Sequence, residues 1–249
     1  MNHTLYQGDC LEELHKVDFQ TVDLIVCDLP FNTTNCSWDS PIDLDRLWAH
    51  YMSVRKPSAA ILLFAQIPFN ITLGQSNLKE LRYEWIWEKT TATGHLNANR
   101  MPMKAHENIM VFYDSLPTYN PQKTTGHTPV NSYTKHQDDG EIYGKTQSGL
   151  SGGGSTERFP RDVLTFPTDK QKSALHPTQK PVKLLEYLIE TYSNEGDVVL
   201  DNTFGSGSCG VAAANTGRKF IGIEQDKNYF KIGAERIQSA YNKAELLGM

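Results

Sequence analysis

Residues 198–208, VVLDNTFGSGS, combine side chains and backbone suited to holding a small ligand. Val198, Val199 and Leu200 read as a buried strand, Asp201 closes it, and Gly205 and Gly207 open a turn before a helical run at 209–215. Glycines without a Cβ let a ligand lie against the backbone, and the crevice beyond the carboxyl ends of strands is the usual binding place in an open α/β sheet. A second strand, FIGIE at 220–224, ends in Glu224, whose carboxylate can accept hydrogen bonds from ribose hydroxyls. The same glycines satisfy G-x-G-x-x-G through Gly210, with Glu224 at roughly the 20-residue spacing of a dinucleotide fingerprint. On this stretch alone a nicotinamide or flavin enzyme and a ligand-free strand-to-helix turn both stay open.

A second candidate is Asp28-Leu29-Pro30-Phe31, which follows the apolar run Leu24, Ile25, Val26. Pro30 cannot donate to a sheet ladder, so the strand stops and leaves a carboxylate at its carboxyl edge. In isolation, an aspartate capping a turn and a phenylalanine packed in the core explain the tetrapeptide as well. Two acidic strand ends on one crevice, Asp28 and Asp201, are where a reacting group is expected.

The elements that must position these residues follow from periodicity. A short strand at 5–7 leads to Gly8-Asp9 and a helical stretch at 11–16; a strand at 21–28 ends in Asp28. Residues 32–41, with Trp38, form a polar loop long enough for a flap. Leu44, Leu47, Trp48, Tyr51 and Met52 recur at helical spacing, and AAILLFA at 59–65 supplies a third buried strand. A helix at 68–79 precedes two aromatic-rich strands, 82–89 and 108–113, which flank the loop 90–107. Hydrophobic periodicity fades over 114–174, where Gly, Ser, Thr, Asn, Pro and Lys dominate and SGLSGGGS stands at 148–155; an inserted recognition element and a plain linker both fit. A helix at 182–192 and a long amphipathic helix at 226–247 complete the pattern.

A length of 249 residues, 39% hydrophobic and 21% charged, describes an ordinary globular chain able to bury a sizeable core. No apolar run reaches membrane length and the first residues lack a secretory pattern, so a cytoplasmic location without membrane contact is expected. Cys10, Cys27, Cys36 and Cys209 form neither a C-x-x-C pair nor a zinc-spaced cluster, so no metal is expected and the thiols read as reduced. A net charge of −5 argues weakly against nucleic acid, but between Lys89 and Lys135 the basic residues Lys89, Arg100, Lys104, Lys123 and Lys135 face only Glu107 and Asp114; on charge alone a solvated loop face explains this slightly better than a phosphate-binding surface.

Three stretches stand in a fixed order: DLPF at 28–31, HPTQKP at 176–181 and DNTFGSGS at 201–208. Together they resemble the β-class amino-methyltransferases of DNA, which use S-adenosylmethionine and carry the catalytic half before the cofactor half. The resemblance runs from Tyr6 to about Arg236, excludes the middle insertion and demotes the nicotinamide reading, which explains neither DLPF nor HPTQKP. It implies an α/β fold with a circularly permuted, Rossmann-like, mostly parallel methyltransferase sheet, divided into a catalytic half at 1–113, an inserted recognition region at 114–175 and a cofactor half at 176–249. The strands before Asp9, Asp28, Asp201 and Glu224 should lie side by side around one crevice.

Matched residue by residue, the resemblance implies that Asp9 and Cys10 contact the adenine of S-adenosylmethionine. Glu224 and Gln225 would hold the ribose, and Asp201, Asn202, Thr203, Phe204, Gly205, Ser206, Gly207 and Ser208 would cradle the methionine portion. His176, Thr178 and Lys180 would lie near its carboxylate. Asp28, Leu29, Pro30 and Phe31 would take the target base, with Asp28 also at the cofactor edge. The missing Pro-Cys pair leaves amino rather than cytosine-carbon chemistry, and Asp rather than Ser at position 28 implies adenine over the cytosine-N4 alternative. Lys89, Arg100 and Lys104 would contact phosphates of double-stranded DNA, and a homodimer is an expectation because relatives in this class are often dimers. A non-catalytic DNA-binding protein with a retained pocket is the rival of another class. Leu29 stands where the family commonly has Pro, Phe31 where it often has Tyr, and Asn202-Thr203 displaces the usual aromatic to Phe204.

Overall fold

The structure is a computed structural model that describes residues 2–31, 41–134, 149, 151–169 and 179–248. The chain divides into two compact units, one formed by Met1–Asn120 with Asp162–Met249, the other by Pro121–Arg161.

In the larger unit the strands are β1 (His3–Gln7), β2 (Val22–Cys27), β3 (Arg55–Ala65), β4 (Leu81–Thr93) and β5 (Lys104–Phe112), then β8 (Val163–Phe166), β9 (Val198–Asp201) and β10 (Lys219–Glu224). They form one eight-stranded sheet in the order β1-β10-β9-β2-β3-β5-β4-β8. The run from β1 to β3 is parallel; β5 is antiparallel to both β3 and β4, and β8 pairs parallel with β4. The smaller unit carries β6 (Tyr133–Thr134) and β7 (Ser151–Gly152), an antiparallel pair of two-residue strands.

Alternation along the strands sorts side chains to two faces. Leu24 and Val26 of β2 join one apolar cluster, with Leu184 and Leu188 of α4 (Val182–Tyr192), Ala212 and Ala213 of α5 (Ser208–Asn215) and Ile237 of α6 (Lys227–Leu246). Ile25 and Cys27 join the other, with Leu14, just beyond α1 (Cys10–Glu13), Leu47 and Tyr51 of α2 (Leu44–Val54), and Leu73 of α3 (Phe69–Ser76). Helices thus cover both faces of the central strands, which explains why β2, β3 and β9 read as continuous apolar runs. Each fully buried Leu, Ile or Phe contributes about 1.5–3 kcal/mol.

The loop-rich character expected over 114–175 does not extend evenly through that stretch. Residues 163–166 form an edge strand of the main sheet. A four-residue edge strand with a single buried side chain, Leu164, leaves almost no periodic signal. The expected flap at 32–41, with Cys36 and Trp38, falls largely outside the described residues, as do Lys135, His176 and Thr178.

The strand order also creates the crevice. From β9 the chain passes through α5 on one face to β10, whereas from β2 it passes through α2 on the opposite face to β3. The two connections leave neighbouring strands in opposite directions, so their loops part at the carboxyl ends of β9 and β2, where open α/β sheets bind ligands.

Candidate active site

A cavity of about 610 Å³ opens at this point, within the size range of small-molecule sites. Its lining carries six carboxylates, Asp9, Asp28, Asp43, Glu107, Asp201 and Glu224, against two ammonium groups, Lys89 and Lys180. Among the described residues, five of the seven buried side-chain polar atoms without a hydrogen-bond partner belong to residues lining it: Asp28 Oδ1, Glu107 Oε2, Gln179 Oε1, Asn202 Nδ2 and Ser208 Oγ. Buried polar atoms are ordinarily paired, so this concentration marks a place built for a polar ligand.

One end of the cavity is shaped by backbone. Gly205 and Gly207 adopt φ of +52° and +81°, left-handed conformations that favour glycine. A Cβ at Gly207 would stand 2.9 Å from the Gly233 carbonyl, and one at Gly233 would stand 2.6 Å from the Phe204 ring, so α6 lies hard against the loop. Phe204 is buried and packs at 5.8 Å from the Phe230 ring, which makes it a wedge between loop and helix. Glu224 accepts from the backbone N–H groups of Gly205 at 2.9 Å and Asp226 at 2.7 Å; Asp201 accepts from Thr203 N–H at 3.0 Å. Asn202 is held beneath the loop, its Oδ1 accepting from Tyr51 Oη at 2.6 Å and Cys27 Sγ at 2.9 Å. Asp9 caps α1 by accepting from Leu11 N–H, and buried Cys10 has its thiol pushed up to about 11 by desolvation.

The other end is held by side-chain charge. Lys180 Nζ donates to Asp28 Oδ2 at 2.6 Å and makes an ion-pair contact of 3.2 Å with Glu107 Oε2, outside hydrogen-bond geometry. Lys89 Nζ donates to Glu107 Oε1 at 2.5 Å. The two lysines lie over aromatic rings, Lys180 at 5.1 Å from the Phe64 centroid and Lys89 at 5.0 Å from that of Trp87. Glu107 reaches this edge because β5 runs antiparallel to β3, which places the first half of β5 beside the carboxyl end of β3. Phe31, half-buried, packs its ring 5.2 Å from Phe69. The two ends touch: Thr203 Oγ1 donates to the Asp28 carbonyl at 3.1 Å.

Burial pushes the Asp28 carboxyl above the usual carboxylate range, with Lys180 opposing and Glu107 adding to the shift. At Glu107 burial acts the same way, but Lys180 and Lys89 outweigh it and hold the group below its ordinary value. Lys180 would be lowered by burial, yet Asp28 and Glu107 hold it above the usual lysine value. Asp201, without a cationic partner to offset burial, is pushed up to about 7, with Asp28 and Glu224 adding to the shift. Glu224 is raised by burial, opposed by its backbone donors.

The cavity brings together Asp9, Cys10, Asp28, Leu29, Pro30, Phe31, Lys180, Glu224 and Gln225 with the whole 201–208 loop except Gly207, which faces α6 instead. Lys180, expected beside the cofactor carboxylate, is paired with Asp28. Lys89, expected at phosphate, lines the cavity and is paired with Glu107. Arg100 and Lys104 are exposed on the β4–β5 connection and the start of β5, away from the lining. Glu107, Gln179, Trp87 and Asn202's partner Tyr51 escape sequence reasoning; Glu107 stands at the start of the predicted strand 108–113, not at the carboxyl end that marks Asp28.

Fold and site together define an α/β protein with a ligand crevice at the sheet's switch point and an acidic strand tip beside it. The chain belongs to the DNA methylase family, whose model (N6_N4_Mtase) matches residues 22–235. It is 29% identical to the DNA adenine methyltransferase YhdJ of Escherichia coli (strain K12), across 98% of this chain and 86% of that protein. It is 26% identical to the type II methyltransferase M.HpaI of Haemophilus parainfluenzae, across 97% and 76%. Among solved structures it resembles the M1.HpyAVI–SAM complex, with a TM-score of 0.63, 22% identity and coverage of 94% and 98%. It also resembles PvuII DNA methyltransferase (cytosine-N4-specific), with a TM-score of 0.66, 16% identity and coverage of 98% and 93%. Family membership overturns the nicotinamide alternative. Among the described residues no helix is long and apolar enough to cross a membrane.

Proposed function

We propose that this chain transfers a methyl group from S-adenosylmethionine to the N6 amine of an adenine flipped out of double-stranded DNA. One observation carries the reading: Asp28, with an unpartnered buried carboxylate oxygen, opens onto the same cavity as Asp201, Gly205 and Glu224. The excess of carboxylates suits a ligand bearing sulfonium and ammonium charges and repels the pyrophosphate of a dinucleotide. Asp9, Glu224 and the 201–208 loop would hold the cofactor. S-adenosylmethionine supplies an electrophilic methyl carbon on a sulfonium sulfur.

An adenine amine is a weak nucleophile because its lone pair is delocalised into the ring. Asp28 Oδ1 accepts one amine hydrogen and the Leu29 carbonyl the other, which draws the nitrogen towards tetrahedral geometry. Lys180 opposes the burial that raises the Asp28 carboxyl and holds it from its far oxygen, Oδ2, leaving Oδ1 for the substrate and for the proton the amine sheds. Phe31 offers a face on which the extruded base stacks. The likeness to an adenine methyltransferase across nearly the whole chain, and Asp rather than Ser at position 28, support adenine over cytosine. The unit Pro121–Arg161 serves as the sequence-reading element, and Arg100 and Lys104 as phosphate contacts.

The test is incubation of unmethylated genomic DNA with the protein and S-adenosylmethionine, digestion to nucleosides and mass spectrometry. N6-methyladenine is expected. N4-methylcytosine as sole product reverses the base assignment, and bound DNA with no methylated base supports a non-catalytic DNA-binding protein.

A further inference from the structure

We propose that Glu107 is a positioning residue for the methyl transfer: it clamps Lys180 on Asp28 and thereby fixes which carboxylate oxygen meets the substrate amine. The inference rests on the proposed amine methylation and extends it to a residue on a separate strand, 79 positions from Asp28.

The geometry sets Lys180 between two carboxylates, 2.6 Å from Asp28 Oδ2 and 3.2 Å from Glu107 Oε2, with its side chain only 8% exposed. A lysine carries a compact charge on a flexible stem, so a single carboxylate partner fixes a distance but not a direction. The second carboxylate confines the ammonium to the line between them, under the Phe64 and Phe31 rings. Held there it occupies Asp28 Oδ2 and leaves Oδ1, buried and without a hydrogen-bond partner, as the acceptor still to be satisfied. Lys89, paired with the other Glu107 oxygen at 2.5 Å, stops that carboxylate from rotating. The two ammonium groups and the two carboxylates balance in charge, as a buried cluster requires. Lys89 is the further ionisable group acting on Asp28, opposing its upward shift, and Asp28 in turn raises Asp201 at the end of the neighbouring strand.

The test compares wild type, Glu107→Gln and the double variant Glu107→Gln/Lys89→Met. Three quantities are read: S-adenosylmethionine affinity by calorimetry, kcat for tritiated methyl transfer to unmethylated plasmid DNA, and the pH profile of kcat. Glu107→Gln is expected to bind the cofactor within about twofold of wild type while kcat falls about 10–100-fold, the scale of a supporting contact in a reacting site. Removing a neighbouring negative charge also moves the acidic limb of the profile to lower pH, whereas loss of folded protein scales the amplitude and leaves the limb in place. The double variant restores neutrality without restoring the clamp and is expected to stay slow. Wild-type kcat in Glu107→Gln, recovery in the double variant, or loss of cofactor binding would each overturn the proposal. A wild-type protein that transfers no methyl group instead overturns the function on which it rests.

Discussion

The two ends of the cavity are stabilised by different means. At the glycine turn, the carboxylates of Asp201 and Glu224 accept from backbone N–H groups a few residues away or on the adjoining loop, and the shape comes from left-handed glycines packed on α6. At the Asp28 tip, the shape comes from side-chain ion pairs between residues distant in sequence, Asp28 with Lys180 and Lys89 with Glu107. A backbone-built site tolerates changes of side chain but not of φ. A charge-built site keeps its fold only while its charges balance. The first suits a cofactor that must bind in one pose, the second a carboxylate whose protonation state matters to chemistry.

The largest stability effect should come from unbalancing the charged end. Lys180→Met leaves Asp28 and Glu107 buried without their shared cation, and loss of one partner of a buried pair costs about 3–5 kcal/mol. Urea unfolding near neutral pH measures it. A loss below about 1 kcal/mol would mean that the ion pairs behave as exposed ones.

At the backbone-built end, Gly207→Ala should cost less, about 1–3 kcal/mol, through a left-handed φ and a Cβ driven to 2.9 Å from the Gly233 carbonyl. Cofactor affinity should fall with it, while the Lys180 to Asp28 pairing stays intact. Calorimetry with S-adenosylmethionine reads the first, and unchanged affinity would detach the turn from cofactor binding.

The pH response sharpens the contrast. Asp201 is raised to about 7 in the fold. Its contribution to stability is fully present below its unfolded value of about 4 and is lost as pH rises through 7, because the ionised form is penalised by burial. A bound cation prefers that ionised form, so cofactor affinity should tighten by roughly tenfold from about pH 6 to 8. Asp201→Asn should flatten the curve; an equally steep curve in that variant would place the titration elsewhere.

The smallest effect belongs to the exposed cations. Arg100→Ala should leave stability unchanged and lower the slope of log affinity for DNA against log salt by about 1. An unchanged slope would remove Arg100 from the phosphate contacts.

The contrast also explains what the sequence disclosed. The glycine end is local: Val198 to Ser208 carries strand, carboxylate and turn in one stretch, so apolar run and glycines suffice to read it. β2 and its Asp28 tip were legible for the same reason; the adjacency of the four acidic strand ends followed only from the family resemblance, and the sheet order β1-β10-β9-β2 agrees with it. The pairing of Lys180 with Asp28 was not, because 152 residues separate them and no periodicity links an ammonium to its partner. Glu107 was hidden similarly: its role depends on β5 running antiparallel to β3, a pairing direction that hydrophobic pattern leaves undetermined. Asn202 looked like a loop residue, but it is buried and tied to Tyr51 of α2 and Cys27 of β2.

The central claim is that the Asp28 carboxylate acts on a substrate amine in the cleft that holds the cofactor. Single-turnover methyl transfer by Asp28→Asn, with S-adenosylmethionine affinity measured on the same preparation, tests it most directly. The variant keeps the shape of the side chain and loses its anion. Cofactor affinity close to wild type with transfer slowed on the order of 10²–10³-fold or more is the expected result. Transfer at the wild-type rate would contradict the account.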